Sequence, residues 1–200
     1  MLFRQSAVDV DDRCIFGRGW RDHRHPAAVS DGGEIELTYK PAPDWIIFLS
    51  GTYLDAHYTD FVGASAAEPL REYIFPSSPN VNFDGKELNS APRETAFLSA
   101  EKQWNVEVGK LNAKAELEYS DKFYFTSDNV APLDQGAYDK VNLSLRYQSE
   151  RAWTATAYVR NLSDKVTKTS ASLFTTAVGA PLGGPVSDPR TFGVRLGYRF

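Results

Sequence analysis

One stretch limits the folding options of this chain more than any other. From Leu111 to Tyr119, the residues Leu111, Ala113, Ala115, Leu117 and Tyr119 take every second position, and Asn112, Lys114, Glu116 and Glu118 fill the gaps. A period of two belongs to extended chain, whose successive side chains point to opposite faces; a helix would scatter these apolar residues around its circumference. The pattern returns in Val141, Leu143, Leu145 and Tyr147, in Trp153, Ala155, Ala157 and Val159, and in the closing Phe192, Val194, Leu196, Tyr198 and Phe200. It recurs more loosely in Ile35–Lys40, Trp45–Tyr58 and Thr95–Trp104, where Ile46 and Phe48 interrupt the alternation. Phe123 and Phe125 read as an extension of the face begun at Leu111. The expectation is an all-β fold, an antiparallel meander of about seven long strands.

Length and loop order decide which all-β class this is. Strands of soluble proteins have a mode of about 5–6 residues, whereas a strand that crosses a bilayer needs about 9–11. The connections alternate in size. Short turns are expected near 41–44, 105–110 and 149–151, and long segments at 59–91, 127–136 and 162–189. Short turns at one end and long loops at the other are the organisation of a transmembrane β-barrel. Charge agrees. Lys114, Glu116, Glu118, Arg146, Arg160, Arg195 and Arg199 all fall opposite the apolar positions. A lipid-facing Arg or Lys at mid-bilayer costs about 2–4 kcal/mol, so these charges belong on a watery lumen. Aromatics, 13% of the chain, gather near strand ends as interfacial girdles would. A soluble antiparallel sandwich also alternates apolar-in and polar-out; it remains the competing reading, weakened by strand length and loop asymmetry.

Composition closes other routes. A net charge of −4 excludes a general nucleic-acid binder, which would be basic. The longest apolar run, Trp45 to Leu49, is far short of the about 20 residues of a membrane helix. No apolar leader segment is seen at the N-terminus. A single cysteine, Cys14, excludes an internal disulfide.

The order of five stretches resembles the C-terminal part of TonB-dependent outer-membrane receptors: "GEIELTYKPAPDWIIFLSGTYLDAHYTDF", "LNSAPRETAFLSAEKQW", "VNLSLRYQ", "WTATAYVRNLSDK" and "PRTFGVRLGYRF". The Asn-Leu-Ser-Asp at Asn161–Asp164, a variable loop and a terminal Arg-Thr-Phe-Gly strand form the most specific piece, supported by Leu-Asn-x-Ala-Pro at Leu88–Pro92. The resemblance implies a large barrel filled by an N-terminal plug. Its activity would be energy-coupled uptake of a scarce ligand, with ferric siderophores as the first expectation, in the outer membrane of a Gram-negative bacterium. Seven strands of such a barrel cannot close, so the expectation is an incomplete segment of a transmembrane β-barrel, spanning residues 33–200. TonB would be reached only through an N-terminal region, and the signal peptide would lie there too. Residues 1–32, with five arginines, two histidines and no period, read either as a truncated or non-native start or as an ordinary extracellular loop. In this family the terminal strand, Phe192, Val194, Leu196, Tyr198 and Phe200, is expected to be the signal that the barrel assembly machinery docks by strand pairing. An outer-membrane enzyme or adhesin is the remaining barrel alternative.

Candidate chemistry is sparse. His57 lies near Asp55 and Asp60 at the top of a strand, and a His–Asp pair at a barrel rim can activate water. Asp-x-His is common by chance, however, and no second pair accompanies it; the reading is no enzyme. His23 and His25 with Cys14 offer zinc-type ligands, but their spacing fits no structural zinc module. Asp9, Asp11 and Asp12 lack the Gly and Glu of a calcium loop. No cofactor is expected. Ligand contact is assigned to the loop 59–91, where Arg71, Tyr73 and Phe75 can pair with and stack on an anionic iron chelate. The competing role for these three is loop packing or contact with lipopolysaccharide.

Overall fold

A computed structural model describes residues 2–6, 27–64, 81–173 and 182–199. Eight strands form one antiparallel sheet: β1 (Leu2–Ser6), β2 (Ala27–Tyr39), β3 (Trp45–Asp60), β4 (Glu94–Val106), β5 (Gly109–Ser120), β6 (Tyr138–Ser149), β7 (Trp153–Arg160) and β8 (Thr191–Tyr198). Every strand pairs with its neighbour in sequence, so the sheet is an up-and-down meander with β1 and β8 at its two ends. It is not closed among the described residues.

The fold class is as the sequence predicts, but several boundaries differ. Strand structure starts before Gly33: β2 begins at Ala27, and Leu2–Ser6 pairs with Val29–Gly33. Both lie inside the segment whose residues show no period, because strand pairing there rests on the backbone ladder and not on an apolar face. The remaining residues of that segment, Cys14, His23, His25 and Asp9 to Asp12 among them, lie outside the described residues. Phe123 and Phe125 do not prolong β5. The chain turns at Asp121, whose backbone N–H donates to Glu94 O (2.8 Å) and whose side chain accepts from Lys122 N (2.7 Å). Phe123–Tyr124 then pairs with Asp134–Gln135 in a separate small hairpin.

Register shows what the alternation is for. Antiparallel partners lie on the same face of a sheet, and following partners from strand to strand gives continuous apolar rows. Leu37, Leu49, Leu98, Leu117 and Val141 form one row. Tyr39, Ile47, Ala100, Ala115, Leu143, Val159 and Phe192 form the next, across all seven long strands. The register also settles β3 and β4. Ile47, Leu49 and Leu98 share the apolar face, while Ile46, Phe48 and Phe97 lie on the polar one, where the Phe48 and Phe97 rings meet at 6.1 Å. Phe48, which blurs the alternation, thus finds its apolar company in Phe97, its diagonal neighbour on the next strand.

Lys114, Glu116, Glu118, Arg146 and Arg195 fall on the polar face, opposite the apolar rows, as expected. Neighbouring polar side chains there satisfy one another: Lys114 Nζ lies 2.6 Å from Glu116 Oε1, Asn112 donates to Glu101 (2.6 Å), and Thr52 bonds Thr95 (2.6 Å). Small residues make room where chains crowd. A Cβ on Gly193 would sit 2.7 Å from the Tyr158 hydroxyl, so the glycine lets that ring lie across β8.

No second layer covers the apolar face among the described residues. Phe192, Val194 and Leu196 keep 81%, 70% and 69% of their surface exposed, and Ile35, Leu37 and Tyr39 more than half. The buried apolar side chains, Ala56, Phe83, Leu133 and Ala171, all lie at or beyond the long-loop ends of the strands. A soluble sandwich would invert this, with its apolar face inside and exposed apolar patches no larger than a few hundred Å².

Candidate functional site

The three long connections, 61–93, 121–137 and 161–190, all leave the sheet at the same end, opposite the tight turns at 40–44, 107–108 and 150–152. Their described parts are bonded into one crown. Segment 81–93 folds back along β3: Tyr58 N donates to Lys86 O (2.9 Å), Leu88 N to Ala56 O (3.0 Å) and Leu54 N to Arg93 O (2.8 Å). Phe83 is buried there, its ring edge-on to Phe61 (5.1 Å), which in turn packs on Tyr58 (4.9 Å).

The second connection locks onto the first. Lys86 Nζ donates to Asp128 O (2.5 Å), and Asn129 accepts from Glu87 N (2.8 Å) while donating to Glu87 O (3.0 Å). Asn129 sits at φ 52°, a left-handed position that asparagine tolerates better than most residues. The hydroxyl of Tyr58 bonds Ser127 Oγ (2.9 Å), and Ser90 N donates to Tyr124 O (2.7 Å). Leu88–Pro92 is therefore the strap that passes under the second loop.

The third connection joins in the same way. Lys168 N donates to Gln135 Oε1 (2.6 Å), its Nζ to Asp134 O (2.7 Å), and Lys140 Nζ to Thr167 Oγ1 (2.8 Å). Asn161 is its hinge. Nearly buried at φ 51°, it donates to Lys165 O (2.9 Å) and Asp188 O (3.2 Å) and accepts from Lys165 N (2.9 Å). Asp164, also left-handed at φ 54°, accepts from Arg190 N (2.7 Å). The Asn-Leu-Ser-Asp motif thus ties the exit of β7 to the entry of β8.

Beneath the crown, on the polar face, lies a cavity of about 530 Å³ lined by Ser50, Thr95, Phe97, Glu118, Phe125 and Tyr138, with Thr169 from the third connection at its rim. Tyr138 donates to Glu118 (3.4 Å). Hydroxyls, one carboxylate and phenyl faces equip the cavity for hydrogen bonding and stacking. Glu118 is readable in the sequence only as a polar-face charge; its meeting with Tyr138 depends on the β5–β6 register.

Arg71, Tyr73 and Phe75 lie outside the described residues, as does Phe200. Phe192, Val194, Leu196 and Tyr198 share one face of β8, in register with Val159, Ala157, Ala155 and Trp153; the Trp153 and Tyr198 rings meet edge-on at 5.2 Å. His57 Nδ1 lies 3.3 Å from Asp55 Oδ1, but the register puts this pair on the apolar side, beyond Tyr53 and away from the cavity. No cluster of three metal-binding side chains occurs among the described residues.

The chain matches the family model described as TonB dependent receptor-like, beta-barrel, over residues 4–162, most of its length. It belongs to the TonB-dependent receptor β-barrel family. Solved structures similar to this barrel chain include the ferric yersiniabactin uptake receptor FyuA from Yersinia pestis, with a TM-score of 0.70, 21% identity, and 88% of this chain and 24% of that receptor covered. The siderophore receptor PiuA from Acinetobacter baumannii gives a TM-score of 0.65 at 21% identity, over 86% of this chain and 22% of that one. BauA, the ferric preacinetobactin receptor of the same organism, gives 0.60 at 21% identity, over 86% and 22%. The chain thus spans about a quarter of the length of these receptors. No curated protein matches it. Within a TonB-dependent barrel the two faces of the sheet acquire names: the apolar face is the outer wall and the polar face lines the lumen.

Proposed function

We propose that this chain contributes wall and extracellular loops to an outer-membrane receptor for energy-coupled uptake of a scarce ligand, of the ferric siderophore class. The observation that carries the reading is the apolar row that runs unbroken from Tyr39 to Phe192 across seven strands while the opposite face carries most of the charged and polar side chains. Lipid on one side and water on the other account for both faces. The named functions of FyuA, PiuA and BauA support the ligand class. The crown of long connections then faces the outside, the tight turns face the periplasm, and the lumenal cavity lies on the path inward. Arg71, Tyr73 and Phe75 contact the ligand from the first long loop. Coupling to TonB requires a region beyond this chain, and the barrel assembly machinery pairs with β8.

Two measurements test this. The protein should partition with outer membranes and need detergent for extraction; recovery in the soluble fraction contradicts the reading. In the receptor that carries this segment, Arg71→Ala with Tyr73→Ala should weaken ferric-chelate binding about tenfold or more, since charge-assisted hydrogen bonds and stacking are both lost. Unchanged affinity removes these residues from the site.

A further inference from the structure

The outer wall is not uniformly greasy. Asp31, Asp55, Glu94 and Asp139 lie on it at the loop end, but Lys102 is the one cation on that face among the described residues of β2 to β8. It pairs across the strands with Trp45 on one side and Ala113 on the other. Its ammonium lies 4.8 Å from the Trp45 ring centroid and 5.3 Å from that of Trp104, held between two indoles. Asp44 Oδ2, at 3.8 Å and nearly half exposed, is its carboxylate neighbour, a contact too long and too wet to neutralise it.

A groove opens beside it. About 920 Å³ in volume, it is floored by Ala100 and its register partner Ala115 together with Ala113 and Ala157, and Leu143 and Leu145 of the strand between line it as well. Trp104 stands at the Lys102 end and Phe192 at the other. The lining is overwhelmingly apolar, with Lys102 at one end. A basic side chain on the outer wall is tolerated near an interface, where it reaches the headgroups, and not at mid-bilayer. The short turn at 40–44 lies directly beside Trp45, which sets this site at the tight-turn interface.

We infer that this groove seats one acyl chain of an anionic phospholipid from the leaflet at the tight-turn end, with Lys102 binding the headgroup phosphate. The occupant follows from charge: an apolar groove ends at an aromatic-framed cation whose one long contact to a carboxylate, Asp44, leaves it able to bind a phosphate, and an anionic lipid presents both halves together. The inference rests on the membrane reading above, and the experiment separates the two. The full chain is placed in phosphatidylcholine vesicles, and tryptophan quenching by brominated phosphatidylglycerol is compared with quenching by brominated phosphatidylcholine at the same mole fraction. The wild type should be quenched by both, with a preference for phosphatidylglycerol of about fivefold, the value of one basic side chain near an anionic surface. Lys102→Gln should abolish that preference, Lys102→Arg should keep it, and Ala115→Leu, which fills the floor, should reduce it. Quenching equal for the two lipids, or a preference that survives Lys102→Gln, overturns the lipid site alone. No quenching by either lipid overturns the membrane reading itself.

Discussion

The outer wall and the lumenal face are two sides of the same strands, built from neighbouring residues of one sequence, yet they obey different rules. On the lumenal side charges meet polar partners within hydrogen-bond reach, as Lys114 does in Glu116 and Glu101 in Asn112. On the outer wall leucine, valine and phenylalanine stand open, and Lys102, the one lysine there among the described strand residues, is wedged between tryptophans. What differs is the solvent each face is made for. Hydrophobic burial in this protein is not burial in a core; it is completed by lipid.

The contrast is broken most severely by charging the wrong face. Leu145→Arg, on the outer wall between Ala113 and Ala157, should destabilise the inserted sheet by about 2–4 kcal/mol, read from urea unfolding in vesicles. Thr156→Glu, on the lumenal side between Arg146 and Arg195, should instead be neutral or stabilising by about 0.2–1 kcal/mol. Equal losses at the two positions would mean the faces see the same medium.

Next in size is the loop hinge. Asn161→Ala removes three hydrogen bonds from a buried side chain at a left-handed position, and each bond is worth about 1 kcal/mol. Proteolysis should open the 161–190 connection in this variant while the strands stay protected. A comparable effect is expected at the glycines of β8. Gly193→Ala presses on the Tyr158 ring and should cost about 1–3 kcal/mol, whereas Gly197→Ala meets only the Thr154 hydroxyl, which can rotate away, and should cost less.

The smallest effect concerns pH at the crown. Hydrogen bonds to Tyr124 and then Asp134 raise the Lys122 ammonium above the ordinary lysine value of 10.5. Its contribution is therefore complete below that value and is lost as pH rises through the higher folded value. Hydrogen exchange of the Phe123–Tyr124 hairpin should be insensitive to removal of this charge by Lys122→Met above that range and only slightly faster in the variant at neutral pH, since the lysine is exposed to solvent that screens it.

The wall was legible in the sequence because a period of two survives wherever one face meets a uniform medium. Leu111–Tyr119, Val141–Tyr147 and Phe192–Tyr198 all show it. It blurred at β3 because Phe48 packs diagonally on Phe97 on the lumenal face, a contact set by register and not by periodicity. The crown was hardly legible. Its bonds join residues far apart in sequence, such as Lys168 with Gln135 and Lys86 with Asp128, and loops carry no repeating pattern. Only two short motifs left a local trace, Asn161–Asp164, whose first and last residues take left-handed backbone, and Leu88–Pro92. Lys102 escaped notice because β4 alternates too weakly to reveal its facing.

The central claim is that alternate residues of a strand see lipid and water. Single spin labels placed in turn at positions 111 through 119 of β5, in bilayers, test it most directly. Accessibility to oxygen should peak at 111, 113, 115, 117 and 119, and accessibility to a water-soluble nickel complex at 112, 114, 116 and 118. Uniform accessibility along the strand, or the opposite phase, would contradict the account.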